Sequence, residues 1–327
     1  VAKETYTTLQ DNQTWSVDLT YNKGTVYHGI PYAAYTASAA QFSDAIVDGE
    51  YYPSKLGYLN EYGLGCTSSI TLGFQQFVSY DGPGRSWLPG NKLFWFEKVG
   101  DYDTADSPTS SKTDICDLNG EQKMYEAYAQ LQKGDIIFNA KDMSTYLYHA
   151  RAVVCVPTVV RLADGTIDPE QSYVTTIEAS NKFDTTRTDG VNTTWQVNHQ
   201  YTFANLYQKG YVPITLEAYS KDRTDMECPY VGLDTEITAE MLAKGELAGT
   251  IKSNFPILYA SVDVLDENGS KVAYVENGNL YNTREVEVSS LSAVFDQLES
   301  GRTYTFVLKG GLARGTAELA RVTFTYE

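Results

Sequence analysis

Residues 62–80 read YGLGCTSSITLGFQQFVSY. Gly63 and Gly65 lead into Cys66. From there Cys66, Ile70, Phe74 and Phe77 recur at i, i+4, i+8 and i+11, which is one face of a helix. Thr67, Ser68 and Ser69 suit a first turn, where backbone N–H groups lack intrahelical partners. The stretch predicts a buried helix with a thiol at its N-terminus, where the macrodipole favours a thiolate. Gly65 lets the preceding backbone approach with no side chain in the way. The plain alternative is that Cys66 is a small buried residue opening an ordinary helix. The remainder of the chain decides between them.

Two later segments bear on that choice. Residues 131–138 read LQKGDIIF: Gly134-Asp135 makes a turn that Asp135 itself stabilises, followed by a short buried strand from Ile136. Residues 148–156, YHARAVVCV, predict a strand. His149, Arg151, Val153 and Cys155 fall on one face of it, with Ala150, Ala152 and Val154 on the other. His149 opens this strand, so its backbone is fixed while its side chain reaches a pocket. After a hairpin-type turn at Asp164-Gly165, a strand over residues 173–179 aligns Val174, Thr176 and Glu178.

Residues 1–60 read as a mixture of turns and short helix. Residues 25–32 (TVYHGIPY) are extended, because Pro31 disfavours helix at Ile30, and residues 38–46 form a short helix with Phe42 and Ile46 on one side. His28 reads as a polar residue near a strand end. A Pro/Gly loop covers residues 81–91, a short strand 94–99, a polar surface loop 101–117 and a helix 121–130. Residues 181–198 are polar with Trp195 as anchor, 201–207 a short helix and 210–216 a closing strand. Residues 223–240 form a linker with a capped turn at Thr238.

From residue 248 the period changes to two. An Asn268-Gly269 turn marks a hairpin, and residues 284–289, 303–309 and 317–326 add short strands with no good helix between them. This predicts an immunoglobulin-like β-sandwich with a structural or adhesive role. The expected division is therefore a catalytic-type α+β domain over 1–225 and the sandwich over 226–327.

At 327 residues the chain has room for both. A net charge of −17 argues against a nucleic-acid partner, which needs a basic stripe. No apolar run reaches the ~20 residues of a membrane span. The four cysteines, at 66, 116, 155 and 228, include no C-x-x-C pair, so neither a structural metal site nor a dense disulfide framework is expected. At most one disulfide forms among the last three if Cys66 is the nucleophile. The 26 tyrosines, with few lysines, suit an extracellular surface. Val1 is preceded by no signal, so the sequence reads as a mature or trimmed chain of a secreted or cell-envelope protein.

A Cys at a helix start, then strands bearing a His and a polar residue, is the order of papain-like nucleophilic catalysis. The roles fall to Cys66 as nucleophile, His149 as base and acid, and Glu178 as the group orienting the imidazole, with Asn181 or His199 as alternatives to Glu178. Helix-start N–H groups, that of Cys66 included, would meet the oxyanion. YGLGCTSSI, LQKGDIIF and YHARAVVCV together resemble the NlpC-like bacterial cell-wall cysteine peptidases, a compact branch of the papain-like fold. The upstream GIPY (residues 29–32) resembles the segment in which that family places a tyrosine near the nucleophile. The resemblance runs in order over residues 24–219. Many members carry Asp before the Cys and Ser-Gly after it, and their third residue is often His, Asn or Gln soon after the His strand. Here Gly65 precedes, Thr67-Ser68 follow, and Glu178 lies one strand farther on.

The resemblance implies a small antiparallel sheet packed on the nucleophile helix. It implies hydrolysis of an amide bond in peptidoglycan stem peptides, near a D-glutamyl–diamino-acid link, with no metal or organic cofactor. Tyr32, Tyr62, Gly65, Thr67 and Trp95 are the candidate substrate-binding residues. The rival readings are an inactive envelope binding module on the same fold, an amidase or acyltransferase for another acyl group, and a purely structural envelope protein.

Overall fold

The computed structural model describes residues 1–11, 16–80, 95–104, 112–142, 147–220, 228–280 and 283–327. Its N-terminus is a hairpin. β1 (Tyr6–Asp11) and β2 (Ser16–Tyr21) pair antiparallel, with Tyr6 opposite Tyr21 and Asp11 opposite Ser16. Tyr6, Thr8, Val17, Leu19 and Tyr21 alternate inward, and the Tyr6 and Tyr21 rings stack at 4.8 Å. This corrects the turns expected at the start of the chain. Three of these five inward residues are Thr8 and tyrosines rather than aliphatic residues, which hides a strand whose other face is polar. The expected short helix does form as α1 (Ala39–Asp44), opened by a capping box. Gln41 N–H donates to Ser38 Oγ at 3.2 Å, and Ser38 N–H donates to Gln41 Oε1 at 3.1 Å.

The chain separates into two compact units. One comprises Val1–Tyr35, Ala45–Thr71 and Pro83–Thr224; the other comprises Thr36–Asp44, Leu72–Gly82 and Asp225–Glu327. Both are mixtures of helix and antiparallel sheet.

Between the N-terminal hairpin and the main sheet come two-residue strands β3 (Tyr35–Thr36) and β4 (Tyr62–Gly63) and the helix α2 (Cys66–Gln75). The first unit is then organised by six strands: β5 (Phe96–Lys98), β6 (Ile136–Asp142), β7 (Leu147–Val153), β8 (Tyr173–Ala179), β9 (Trp195–Thr202) and β10 (Tyr211–Leu216). Their order is β5-β10-β6-β7-β8-β9, and every pairing is antiparallel. Ile136, Ile137, Phe138, Val212 and Ile214 have no exposed surface, so β6 and β10 are covered on both faces. α3 (Lys112–Asn119) lies against β10 and β6, and α4 (Glu121–Tyr128) packs on α3 and on α5 (Phe203–Gln208). The fully buried Met124, Tyr128, Phe203 and Leu206 fill that layer. A four-residue helix, α6 (Glu217–Ser220), follows β10.

Three expectations here are corrected. Residues 112–117 are helical, not loop, anchored by the buried Ile115 and Cys116 in an otherwise polar segment. Residues 195–202 form β9, a half-exposed edge strand whose polar composition masks it, and the helix expected from 201 begins at Phe203. Cys155 lies beyond the end of β7 and is exposed, so it does not share the His149 face. The expected Pro/Gly loop at 81–91 and residues 143–146 lie outside the described residues.

In the second unit, β11 (Val231–Leu233), β12 (Thr250–Ser253) and β15 (Glu285–Glu287) form one sheet in the order β11-β12-β15. The second sheet is built from β13 (Ile257–Leu265), β14 (Lys271–Gly278), β16 (Thr303–Leu312) and β17 (Gly315–Thr325), in the order β14-β13-β16-β17. Ile251, Val286, Val262, Val264, Phe306 and Phe324 join in one core. The turn between β13 and β14 is the expected one: Asp266 Oδ1 accepts from Asn268 and Ser270 N–H, and Gly269 takes φ +80. Thr238 caps α7 (Ala239–Ala243) through its hydroxyl. A ten-residue 3₁₀ helix, Val288–Gln297, lies where only strands are expected, burying Val288, Leu291, Val294 and Phe295. Among the described residues no helix is long and apolar enough to cross a membrane.

Candidate active site

Cys66 is the first residue of α2, and Gly65 is its N-cap: the Gly65 carbonyl accepts the first i→i+4 bond, from Ser69 N–H at 3.0 Å. A glycine cap brings no side-chain oxygen to the first-turn N–H groups. Ser68 Oγ instead accepts from Gly65 N–H at 2.8 Å, which is one half of a capping box. The N–H groups of Thr67 and Ala150 donate to the Cys66 sulfur. Thr67 therefore stands in the first turn and supports the sulfur through its backbone.

Two glycines bring the tyrosine segment beside this turn. A Cβ on Gly63 would lie 2.4 Å from Ala33 Cβ and 2.5 Å from Ala33 N, so only glycine permits the approach of residues 33 and 63. Gly29, at φ +81, meets the Trp195 indole, whose Nε1 donates to the Ile30 carbonyl at 2.9 Å. Further bonds hold the segment: His28 N–H to Asn192 O, Thr193 Oγ1 to His28 O and Leu64 N–H to Pro31 O. Trp195 is thus the anchor the sequence suggested. Tyr32 stacks on Tyr58 at 6.0 Å, and its phenol is held above the usual range by burial, then by the Cys66 charge and Tyr58. Tyr62 rests its ring against Tyr35 at 5.2 Å.

His149 stands on β7 opposite Asn139 of β6. Its imidazole hydrogen-bonds the Cys66 thiol, and its Nε2 contacts Glu178 Oε2, leaving Nδ1 for the sulfur. Glu178 projects from β8 with 3% of its side chain exposed, whereas His149 keeps 30%. The β7–β8 register, Ala152 opposite Ile177, continues to set Arg151 across from Glu178 and His149 on its diagonal. Glu178 is therefore the carboxylate that meets the imidazole. Of its alternatives, Asn181 donates to the Ser16 carbonyl at 2.9 Å, and His199 faces Asp184 at 3.1 Å.

The electrostatics follow from these contacts. Burial opposes ionisation of Cys66, but the His149 charge and hydrogen bond, with the two N–H donors, bring its pKa below the ordinary thiol value. Burial likewise opposes protonation of His149, but the Cys66 charge and then Glu178 raise it to about 9. For Glu178, burial is outweighed by His149, Arg151 and Tyr201, and its carboxyl falls to about 2. The directions of these shifts favour a thiolate–imidazolium pair backed by a carboxylate.

Residues without an assigned role complete the surroundings. Arg151 Nε donates to Glu178 Oε2 at 2.8 Å, and Tyr201 OH donates to Oε1 at 2.6 Å. The Arg151 guanidinium carbon lies 3.9 Å from the Tyr201 ring centre and 4.4 Å from that of Tyr211. Arg151 was visible at i+2 from His149 on one strand face; nothing local in the sequence marks Tyr201 or Tyr211. Trp95 is not part of the group. The β10 residue on the His149 level is Tyr211, whereas the Trp95 carbonyl, just before β5, accepts from Glu217 N–H, six residues along. That spacing is about 20 Å along the strand. Asp135 serves its own turn, accepting from Gln132 N–H at 2.7 Å. All four cysteines are thiols, and among the described residues no group of three or more His, Cys, Asp or Glu could hold a metal ion.

No protein-family model matches the chain, and it has no match among curated proteins.

Proposed function

We propose that the protein is a cysteine hydrolase of papain-like fold that cleaves an amide bond in peptides of the bacterial cell wall. The observation that carries this is the contact series Cys66–His149–Glu178, in which a helix-start thiol meets an imidazole whose far nitrogen meets a buried carboxylate. Cys66 Sγ attacks the substrate carbonyl carbon, and the first-turn N–H groups receive the oxyanion. His149 gives its proton to the leaving amine as the C–N bond breaks, which leaves a thioester on Cys66. Water then loses a proton to His149 and attacks the thioester, releasing the acid and restoring the thiolate–imidazolium pair. Glu178 holds the imidazole in the productive orientation throughout.

Cell-wall peptides as substrate, and a secreted or envelope location, rest on the likeness of the motifs around Cys66, Asp135 and His149. Tyr32 beside the sulfur is consistent with it, as is the seven-stranded sandwich, which we read as an immunoglobulin-like module that orients the enzyme. The flanks Gly65 and Thr67 depart from that pattern and favour one second reading, the same chemistry on another acyl group, by an amidase or acyltransferase.

The first test is Cys66 alkylation against pH in the native chain and in His149→Ala. A thiol that reacts fast near pH 6 and slows without His149 supports the pair. A thiol titrating near ~8.5 in both would sink the enzymatic reading in favour of a binding module. Mass spectrometry of digested cell-wall peptides, beside a panel of simple amides and esters, with Cys66→Ala as control, then separates the two substrate classes.

A further inference from the structure

We infer that Arg151 and Tyr201 are positioning residues for the Cys66–His149 pair, acting through Glu178. The inference rests on the thiolate–imidazolium reading above and adds two residues to it.

A buried carboxyl with no compensation takes up a proton, and a protonated Glu178 would no longer be a pure acceptor for imidazole N–H. The site prevents this with donors on both oxygens. Arg151 Nε shares Oε2 with His149, and Tyr201 OH takes Oε1. Rotation of the carboxylate about its last bond would break one donor contact or the other, so its plane, and with it the direction of the imidazole, is set. Arginine suits the place because it keeps its charge at any working pH. Strand geometry ties base and countercharge together, since residues i and i+2 of one strand face the same side.

The guanidinium is itself buried, with 9% of its side chain exposed, and it lies against two aromatic faces that stand in for water. Tyr211 is held in turn: its carbonyl accepts from Tyr128 OH at 2.7 Å, and its side chain is hydrogen-bonded to Asn139. Among the described residues Glu178 is the only ion-pair partner of Arg151, and Nη1 is buried without an acceptor. Among the described residues the cation thus pairs with this carboxylate alone.

The test is a double-mutant cycle read by the alkylation rate of Cys66 at pH 6 in the full chain, which needs no knowledge of substrate. Tyr201→Phe keeps the ring over the guanidinium and removes one donor; Arg151→Lys keeps a charge and removes the planar fork. Each alone is expected to slow alkylation roughly tenfold, the worth of one charge-assisted hydrogen bond. In a Glu178→Gln background the same changes should slow it less than about twofold, because the hydrogen bonds they remove are made to the Glu178 carboxylate. The acid limb of the Tyr201→Phe profile should also move to higher pH, a shift that a purely structural loss would not produce. Equal slowing in both backgrounds, or no slowing in Tyr201→Phe while His149→Ala slows Cys66, overturns this inference alone. Indifference of Cys66 to His149→Ala overturns the pair and this inference with it. If Arg151→Lys does not fold, Tyr201→Phe decides.

Discussion

The amide of Gly65 donates to Ser68 Oγ at 2.8 Å, so the helix that presents Cys66 is capped by a side chain from inside its own first turn. The usual donor set of a capped helix is thereby left to the sulfur and to an incoming oxyanion. A cap oxygen at 65 would compete for it. Gly65 is not in the left-handed region, and a Cβ there would sit 3.6 Å from Ser68 Oγ, an ordinary contact. Gly65→Ser should therefore fold and gain a few tenths of a kcal/mol of stability. It should at the same time slow Cys66 alkylation near pH 6 by roughly five- to tenfold, the value of one hydrogen bond to the thiolate. Thermal unfolding and alkylation measured on the same samples check both halves.

The pH dependence follows from the directions of the shifts. The pair exists above the lowered pKa of Cys66 and is lost when His149 gives up its proton, near pH 9. Activity on a cleaved amide should be bell-shaped with its alkaline limb there. Glu178→Gln removes the charge that helps raise His149, so that limb should retreat toward ~6.5 and kcat fall by roughly 10²–10⁴-fold. Rate profiles of the two proteins, or NMR titration of the three imidazoles, measure the retreat. An alkaline limb unmoved by the substitution would contradict the role given to Glu178.

How much of this was legible in sequence depended on where the physical signal lay. Cys66 and its helix showed because their apolar spacing is local, and the His149 and Glu178 faces because strands alternate. Arg151 was on the right face with nothing to reveal its use, since that needs the pairing of β7 with β8. Tyr201 was hidden more deeply. The β8–β9 register sets Tyr201 opposite Val174 and Glu178 opposite Gln196, so the phenol reaches Glu178 along the sheet face and not as its cross-strand neighbour. Trp95 is a candidate only through the motif resemblance, and it precedes β5, which lies on the other side of β10.

Glu178 also ties stability to acid. Its folded pKa, about 2, lies below the ordinary 4.5, so its contribution is present above pH 4.5 and lost as pH falls toward 2. Glu178→Gln should destabilise the protein at pH 7 by on the order of 3 kcal/mol, because Arg151 is left as a buried unpaired charge. The gap between the two proteins should close as pH drops through that window. Denaturant unfolding at pH 7, 4 and 3 provides the comparison.

The glycines at 63 and 73 predict opposite outcomes for one added methyl group. At Gly63 a Cβ would lie within 2.8 Å of three atoms of Ala33, two of them backbone, and backbone cannot step aside. Gly63→Ala should cost about 1–3 kcal/mol, as overpacking does. It should also move the Tyr32 segment off the Cys66 turn, slowing alkylation of Cys66. Gly73 is exposed inside α2, and a Cβ there meets nothing within 4 Å. Gly73→Ala should stabilise by roughly 0.5–1 kcal/mol through helix propensity and leave the thiol's reactivity unchanged. Unfolding midpoints and Cys66 alkylation rates of the two variants test the pair; a Gly63→Ala protein as stable and as reactive as the parent would show that residues 33 and 63 are not in contact.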